Sequence, residues 1–566
     1  FSTLGYSQNI NDIFPNFDKD GMNSDILYNP SSISNINNLK NTTHDLYSFY
    51  QIYKSIMFSD FQQRLGSLDV IKDIARSELL STNISLALIY SEYETFNNTA
   101  KNNQLIYKSD DNQYVRIQSD LDIFEHHQIL SAAALKPLQR GLEVTFNLPS
   151  TLFYNISNET INLLEIDFGD NLGYRKILLN EDYDVVYESE GEKYISFRIT
   201  LSNGEINEVV STLKVIYSNE ELNQKFNQNI IGFTSETTDP PNIEPYGETP
   251  FKGWGEMEIF YSADNVLDKP IFVIDGFDPL DTRNINSIYQ ALNFGSGNLG
   301  DIVRDNGYDV VVLNFPTYFR EQDQQWVYGG ADYIERNAML LVELIKLIND
   351  QKVGDNENVV IGPSMGGLIS RYALNYMESI GVDHETRLYI SFDTPHAGAN
   401  VPIGFQHMFN YLAYGLDTWI GDFSVESLRP VVDGMLKSPA ARQMLWDHFE
   451  SHLSDGVAEF DNNNALPQPH PFFSTFYNGI DTVNSFEYPQ NTRNVSIING
   501  SGSLNPYFDI NGNPVNPGFH SLDAVLPDVT NGVDAYLDAW YTPYINQTIP
   551  VSNVYIDAPW FCFCDI

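Results

Sequence analysis

The sequence predicts an α/β protein: a doubly wound, mostly parallel sheet flanked by helices, preceded by a helical prefix and a small β-sandwich. Three observations carry this expectation. Four short apolar runs, Ile271–Ile274, Val310–Leu313, Asn358–Ile361 and Leu388–Ser391, are separated by helical or polar segments, as expected of strands buried on both faces. Between about residues 141 and 218 apolar residues recur with period two, as in Leu142, Val144 and Phe146 or Ile195, Phe197 and Ile199. Ahead of that stretch, Ile52, Ile56, Phe61, Leu65, Leu68, Ile71 and Ile74 follow helical spacing.

At 566 residues the chain is too long for one ordinary core. The pattern divides it into a lead-in and helical region at 1–140, a sandwich at 141–232, and a larger domain at 250–566. The joint between the last two is marked by Pro240, Pro241, Pro245 and Pro250. A hydrophobic content of 42% supplies packed interiors for all three. A net charge of −44 and a pI near 4.3 repel phosphate backbones and anionic lipid, which excludes nucleic acid as a partner. The two cysteines, Cys562 and Cys564, permit neither a disulfide framework nor a CxxC…CxxC zinc cluster, and their role stays open. No uninterrupted apolar stretch reaches the roughly 18 residues that a membrane-spanning helix needs. A start at Phe1 rather than Met fits a mature form after signal removal, or a fragment.

Within the larger domain, Ile334, Ala338, Leu341, Leu344, Ile345 and Ile348 form an apolar stripe that predicts a helix packed on the sheet. From about 401 to 480 the pattern is helical and aromatic, with Phe409, Tyr411, Trp419, Met435, Met444 and Trp446. It reads either as a cap over a site or as further core.

The chemistry concentrates at Gly362-Pro363-Ser364-Met365-Gly366, between the run ending at Ile361 and a helix-forming segment from Leu368. A serine hydroxyl becomes a useful nucleophile when a sharp strand-to-helix turn projects it towards a base and places backbone N–H groups where an oxyanion forms. Glycines at 362 and 366 remove the side chains that would collide in such a turn, and the Met365 N–H is the first expected oxyanion donor. The second is the Phe277 N–H, in the turn Asp275-Gly276-Phe277-Asp278 that follows an apolar run. A general base should come late in the chain. Of seven histidines beyond Ser364, His520 alone follows the next strand candidate at Asn494–Ile498. The orienting acid is expected at Asp393, at a strand end, with Asp509 as the alternative.

Gly362–Leu374 together with Thr394-Pro395-His396-Ala397-Gly398-Ala399 resembles the lipase and esterase branch of the α/β-hydrolases, and the likeness spans most of Pro250 to Ile566. Ile166-Asp167-Phe168-Gly169-Asp170, followed by Gly191-Glu192-Lys193-Tyr194, resembles PKD-type immunoglobulin-like domains. The whole layout looks like the large secreted α/β-hydrolases of Bacteroidetes that often end in a type 9 secretion sorting domain, which implies an extracellular or cell-surface enzyme. Pro363 stands where many lipases have His. Such relatives carry further segments with a histidine near the end of the hydrolase domain, so the resemblance also allows a base beyond Ile566.

The expected activity is therefore carboxylic-ester hydrolysis by a Ser-His-Asp triad, on a small-molecule, lipid or polymer ester, without metal or organic cofactor. An amidase or peptidase using the same triad, and a surface adhesion protein with a degenerate hydrolase fold, are the alternatives.

Overall fold

The computed structural model of the chain describes residues 14, 17, 25–27, 42–79, 81–97, 106–108, 114–116, 122–226, 229–235, 241–415, 417–418, 421–422, 424–464, 466–499, 507–530, 533–544 and 546–557. Pro240, Trp419, Cys562 and Cys564 lie outside them.

The four apolar runs are strands of one seven-stranded sheet. Its members are β1 (Ile231–Thr234), β2 (Trp254–Phe260), β3 (Pro270–Ile274), β4 (Asp309–Asn314), β5 (Asn358–Pro363), β6 (Thr386–Phe392) and β7 (Arg493–Ile497). They lie in the order β1-β2-β4-β3-β5-β6-β7. From β4 to β7 every pair is parallel, while β2 runs antiparallel to both β1 and β4.

Alternate residues of the central strands face opposite layers. Phe272, Ile274, Val311 and Leu313 pack against α3 (Ile334–Gln351) and α4 (Met365–Ser379), whose buried stripes include the predicted Ile334, Ala338, Leu341 and Leu344. Val273, Val310 and Val312 face α1 (Ile285–Gln290), with α2 (Leu299–Asp305) beside it. Towards the β7 edge the cover thins: Phe392, Ile497 and Ile498 are exposed.

The sheet begins earlier than the proline-rich joint suggests. β1 precedes that joint, and Tyr217, Leu222 and Ile230 pack with Val273 and Val310 on the sheet, so this domain starts near residue 217 rather than 250. Proline marks backbone that cannot join a ladder, and here it marks an anchored loop. Ile243 is buried in that loop, and the Tyr246 ring stacks on Tyr333 while its hydroxyl donates to Glu335.

The β-sandwich is likewise larger than 141–232. A six-stranded sheet containing Asn83–Phe96, Phe124–Ala134 and Glu143–Asn147 faces a five-stranded sheet containing Ile161–Asp167, Gly191–Leu201 and Ile206–Ile216. Ile84, Leu86, Phe146, Ile166, Phe197 and Leu213 form their shared core. The outer face of the first sheet, with Ala87, Ile89 and Tyr93, is covered by the helices Leu46–Ser59 and Leu68–Ser77. Region 1–140 is thus helical only in part. Its long strand at Asn83–Phe96 is buried on both faces and shows no alternation to read.

Among the described residues of 401–480, helical segments gather around Ala413, Val432, Leu445 and Phe449 in a small core, while Ala440, Met444, Phe476 and Ile480 join the core on the sheet. A three-stranded sheet of His520–Thr530, Val533–Trp540 and Ser552–Asp557 stands apart from the seven-stranded one and rests on the helix Ile403–Asn410.

Candidate active site at Ser364

Ser364 occupies the single residue between β5 and α4, with φ 50° and ψ −128°. A non-glycine residue there is strained, and surrounding structure must hold it. The Ser364 N–H donates to the Phe392 carbonyl at 2.8 Å, tying the turn to the end of β6. The flanking glycines are required by contact. A Cβ on Gly362 would lie 2.5 Å from the Gly366 carbonyl oxygen, and one on Gly366 would lie 2.7 Å from the carbonyl oxygens of both Ile274 and Asp275. Gly367 faces Thr394, whose side chain fills the space a Cβ would need and donates to the Gly362 carbonyl. Ser364 is exposed, and its Oγ makes no hydrogen bond among the described residues.

Met365 is the first residue of α4, so its N–H has no intrahelical acceptor. The loop after β3 lies against the same turn: a Cβ on Gly276 would be 3.4 Å from the Ser364 Cβ and 4.0 Å from the Met365 nitrogen. The neighbouring Phe277 N–H has no acceptor among the described residues. Two free amides thus belong to segments in contact with the serine, as an oxyanion site requires.

Arg283, which the sequence reading did not single out, holds this loop. Its Nη2 donates to the Phe277 carbonyl at 3.0 Å and its Nε to Asp275 Oδ1 at 2.9 Å. Asp278 accepts from the Arg283 N–H and the Thr282 hydroxyl. Burial pushes the Asp275 carboxyl up to about 6, with Arg283 opposing that shift. No local motif announces such a clamp, since it spans an eight-residue loop.

None of the other expected residues is hydrogen-bonded to the serine. His520 opens a strand rather than sitting in a loop, its Nε2 is 2.8 Å from Asp538 Oδ1, and its ring stacks on Trp540. Asp393 follows β6 with φ 48°, and its carboxylate accepts from the Asn499 N–H. Asp509 caps its own turn through the N–H groups of Asn511 and Asn513. No hydrogen bond joins any two of Ser364, His520, Asp393 and Asp509.

His396 lies three residues beyond Asp393, edge-on to Tyr488, with a buried Nδ1 that has no partner among the described residues. Burial, with Arg371 adding to it, lowers this imidazole to about 4. The surrounding wall is aromatic. Phe473 and Trp446 press on Gly398, and the Tyr477 hydroxyl donates to the Pro395 carbonyl. Among the described residues, no group of three or more His, Cys, Asp or Glu side chains is placed to hold a metal ion. No described helix is long and apolar enough to cross a membrane.

The strand order, the antiparallel second strand, helices on both faces and a strained serine between the fifth strand and its helix define an α/β-hydrolase fold. No family model matches the chain, and no curated protein matches it. Among solved structures, an Agrobacterium vitis protein described as a hydrolase aligns at 11% identity and a TM-score of 0.20, over 30% of this chain and 52% of its own. An α/β serine hydrolase without lid from Xanthomonas campestris aligns at 15% and 0.20, over 31% and 64% respectively. Est1E from Butyrivibrio proteoclasticus aligns at 12% and 0.19, over 44% and 85%. The chain thus spans less than two thirds of the first two. Scores this low leave the fold to rest on the strand order and the serine turn themselves.

Proposed function

We propose that this chain is a serine hydrolase that cleaves carboxylic esters through an acyl-enzyme on Ser364. The observation that carries the reading is the strained Ser364 turn packed against the Gly276–Phe277 loop, with the Phe277 and Met365 amides both lacking partners. In this reading Ser364 Oγ attacks the acyl carbonyl and its proton passes to an imidazole. The two amides stabilise the oxyanion, the alcohol leaves with that proton, and water then hydrolyses the acyl-serine.

His520 is the proposed base. Asp538 is the acid it contacts, and Asp393, beside the serine turn, is the acid on the sheet side. His520 and Ser364 share no hydrogen bond, so proton transfer between them in this reading needs substrate binding to bring the two side chains within reach. The aromatic wall of Trp446, Phe473 and Tyr477 favours an apolar acyl group. The resemblance to secreted Bacteroidetes enzymes supports an extracellular or cell-surface location, with the PKD-like sandwich as an accessory binding module.

Turnover of p-nitrophenyl esters of graded acyl length, compared with a peptide p-nitroanilide, tests this. Ester turnover that Ser364→Ala abolishes is expected. Faster anilide turnover would assign an amidase, and no turnover of either by folded protein would contradict the proposal. Full activity in His520→Ala would move the base elsewhere and leave the nucleophile in place.

A further inference from the structure

A cavity of about 950 Å³ lies where the helical prefix, the hairpin of Thr317–Arg320 and Gln325–Tyr328, and the 401–480 segment meet. Ser364, Phe277 and Met365 are not among its lining residues. We propose that this cavity binds a small organic anion, a carboxylate, phosphate or sulfate carried on a flat ring, at a site distinct from the serine.

Charge is the first argument. The cavity wall holds nine of the chain's 31 lysines and arginines but only seven of its 75 acids. In a protein of net charge −44, an average wall would be strongly acidic and would repel an anion. Here the lining balance is reversed in one place, with eight of the nine cations paired to a carboxylate and Lys136 held by neutral acceptors.

Spare donors are the second. Arg320 spends Nε and Nη2 on Asp323, and Arg336 spends Nη1 on Asp332 and Nε on the Phe251 carbonyl. Arg320 Nη1 and Arg336 Nη2 remain buried with no hydrogen-bond partner among the described residues, and the two residues are 9% and 2% exposed. An orphaned guanidinium N–H is costly unless something accepts from it. Lys136, also buried on this wall, donates to the Ser81 carbonyl and Gln139 Oε1 and has no carboxylate in hydrogen-bond reach. Guanidinium forks match planar oxyanions, and Asp323 and Asp332 hold these two in place just behind the cavity wall, where a small side-chain shift would bring their free N–H groups to a bound anion.

Rings are the third. Tyr47, Tyr50, Trp326, Tyr328, Tyr333 and Tyr414 also line the cavity. Lys437 lies 4.2 Å and Arg429 5.0 Å from the Tyr414 ring centre, so cations and ring faces are presented side by side. A ligand with both an oxyanion and a flat body meets both features; a bare inorganic ion meets only one.

Isothermal titration calorimetry on the whole chain at low ionic strength tests this, with benzoate, phenyl phosphate, phenyl sulfate, inorganic phosphate and neutral benzamide as probes. One or more of the ring anions is expected to bind one per chain, more tightly than inorganic phosphate, with benzamide silent. Which of the three binds best names the oxyanion. Arg320→Gln and Lys437→Gln are each expected to weaken binding about tenfold, the effect of one charge-assisted contact. Lys437 is partly exposed and its ion-pair partner Asp433 is exposed, so its variant keeps the test usable if Arg320→Gln folds poorly. Ser364→Ala is expected to bind unchanged, which separates this site from the proposed catalytic one. No saturable binding of any ring anion, equal binding of benzamide, or affinity unmoved by Lys437→Gln would overturn the proposal.

Discussion

Gly276 and Ser364 lie against each other across the end of the sheet: a Cβ on the glycine would be 3.4 Å from the serine Cβ and 3.4 Å from the Pro363 carbonyl oxygen. The separation is ordinary contact for one methyl group and too little for a branched side chain. Gly276→Ala is therefore expected to fold with an unchanged Tm, whereas Gly276→Val displaces the Phe277 amide. Steady-state ester kinetics should show kcat lowered about 100-fold by the valine, the scale of one lost oxyanion donor. Equal activity of the two variants would remove Phe277 from the oxyanion site.

Arg283 joins Asp275 and the Phe277 carbonyl in one clamp. Its removal frees the oxyanion loop and leaves Asp275, 4% exposed, without its cation. Arg283→Ala should lose about 3 kcal/mol in urea unfolding, at the lower end for a broken buried pair because the arginine is itself partly exposed. It should also lower kcat more than it raises KM. Asp275→Asn together with Arg283→Ala should restore stability but not kcat.

Most of the central sheet was legible in the sequence, and the exceptions have physical reasons. Ile271–Ile274 and Val310–Leu313 are buried on both faces, so each reads as a continuous apolar run. β2 escaped because Glu256 and Glu258 are buried within it, accepting from Asn314 Nδ2 and the Asn229 N–H, so its hydrophobic pattern is interrupted. The elbow was legible because its chemistry is local, a strand, two glycines and a helix in nine residues. The surroundings of His520 were not, because its partner Asp538 sits across a strand pairing 18 residues away.

The helical prefix is fastened to the 401–480 segment by charge. Lys54 and Lys72 both reach Glu426, with Lys54 and Glu426 buried, and the Glu426 N–H donates to Gln51 Oε1. Glu426→Gln removes the carboxylate that Lys54 and Lys72 share and should cost about 3 kcal/mol, at the lower end because Lys54 keeps its bond to the Ser424 carbonyl. A lowered urea midpoint and faster proteolysis between the two segments are the expected readouts. Glu426→Asp should recover part of the loss, and an unchanged midpoint in Glu426→Gln would show that the contact is not structural.

His396 gives the fold an acid-sensitive element. Its imidazole titrates near 4 when folded, against 6.5 for an unperturbed histidine, so the unfolded chain takes the proton first as pH falls. Stability from this group is complete above about pH 6.5 and is lost progressively down to about pH 4. His396→Gln should flatten the fall of the urea midpoint across that window. An unaltered pH profile would assign the acid sensitivity to other groups.

The central claim is that Ser364 is a nucleophile, and covalent labelling tests it most directly. Treatment of the folded chain with a fluorophosphonate, followed by intact mass and peptide mapping, is expected to show one adduct per chain, on Ser364, and none in Ser364→Ala. No adduct on folded wild-type protein, or an adduct on another residue that persists in Ser364→Ala, would contradict the account.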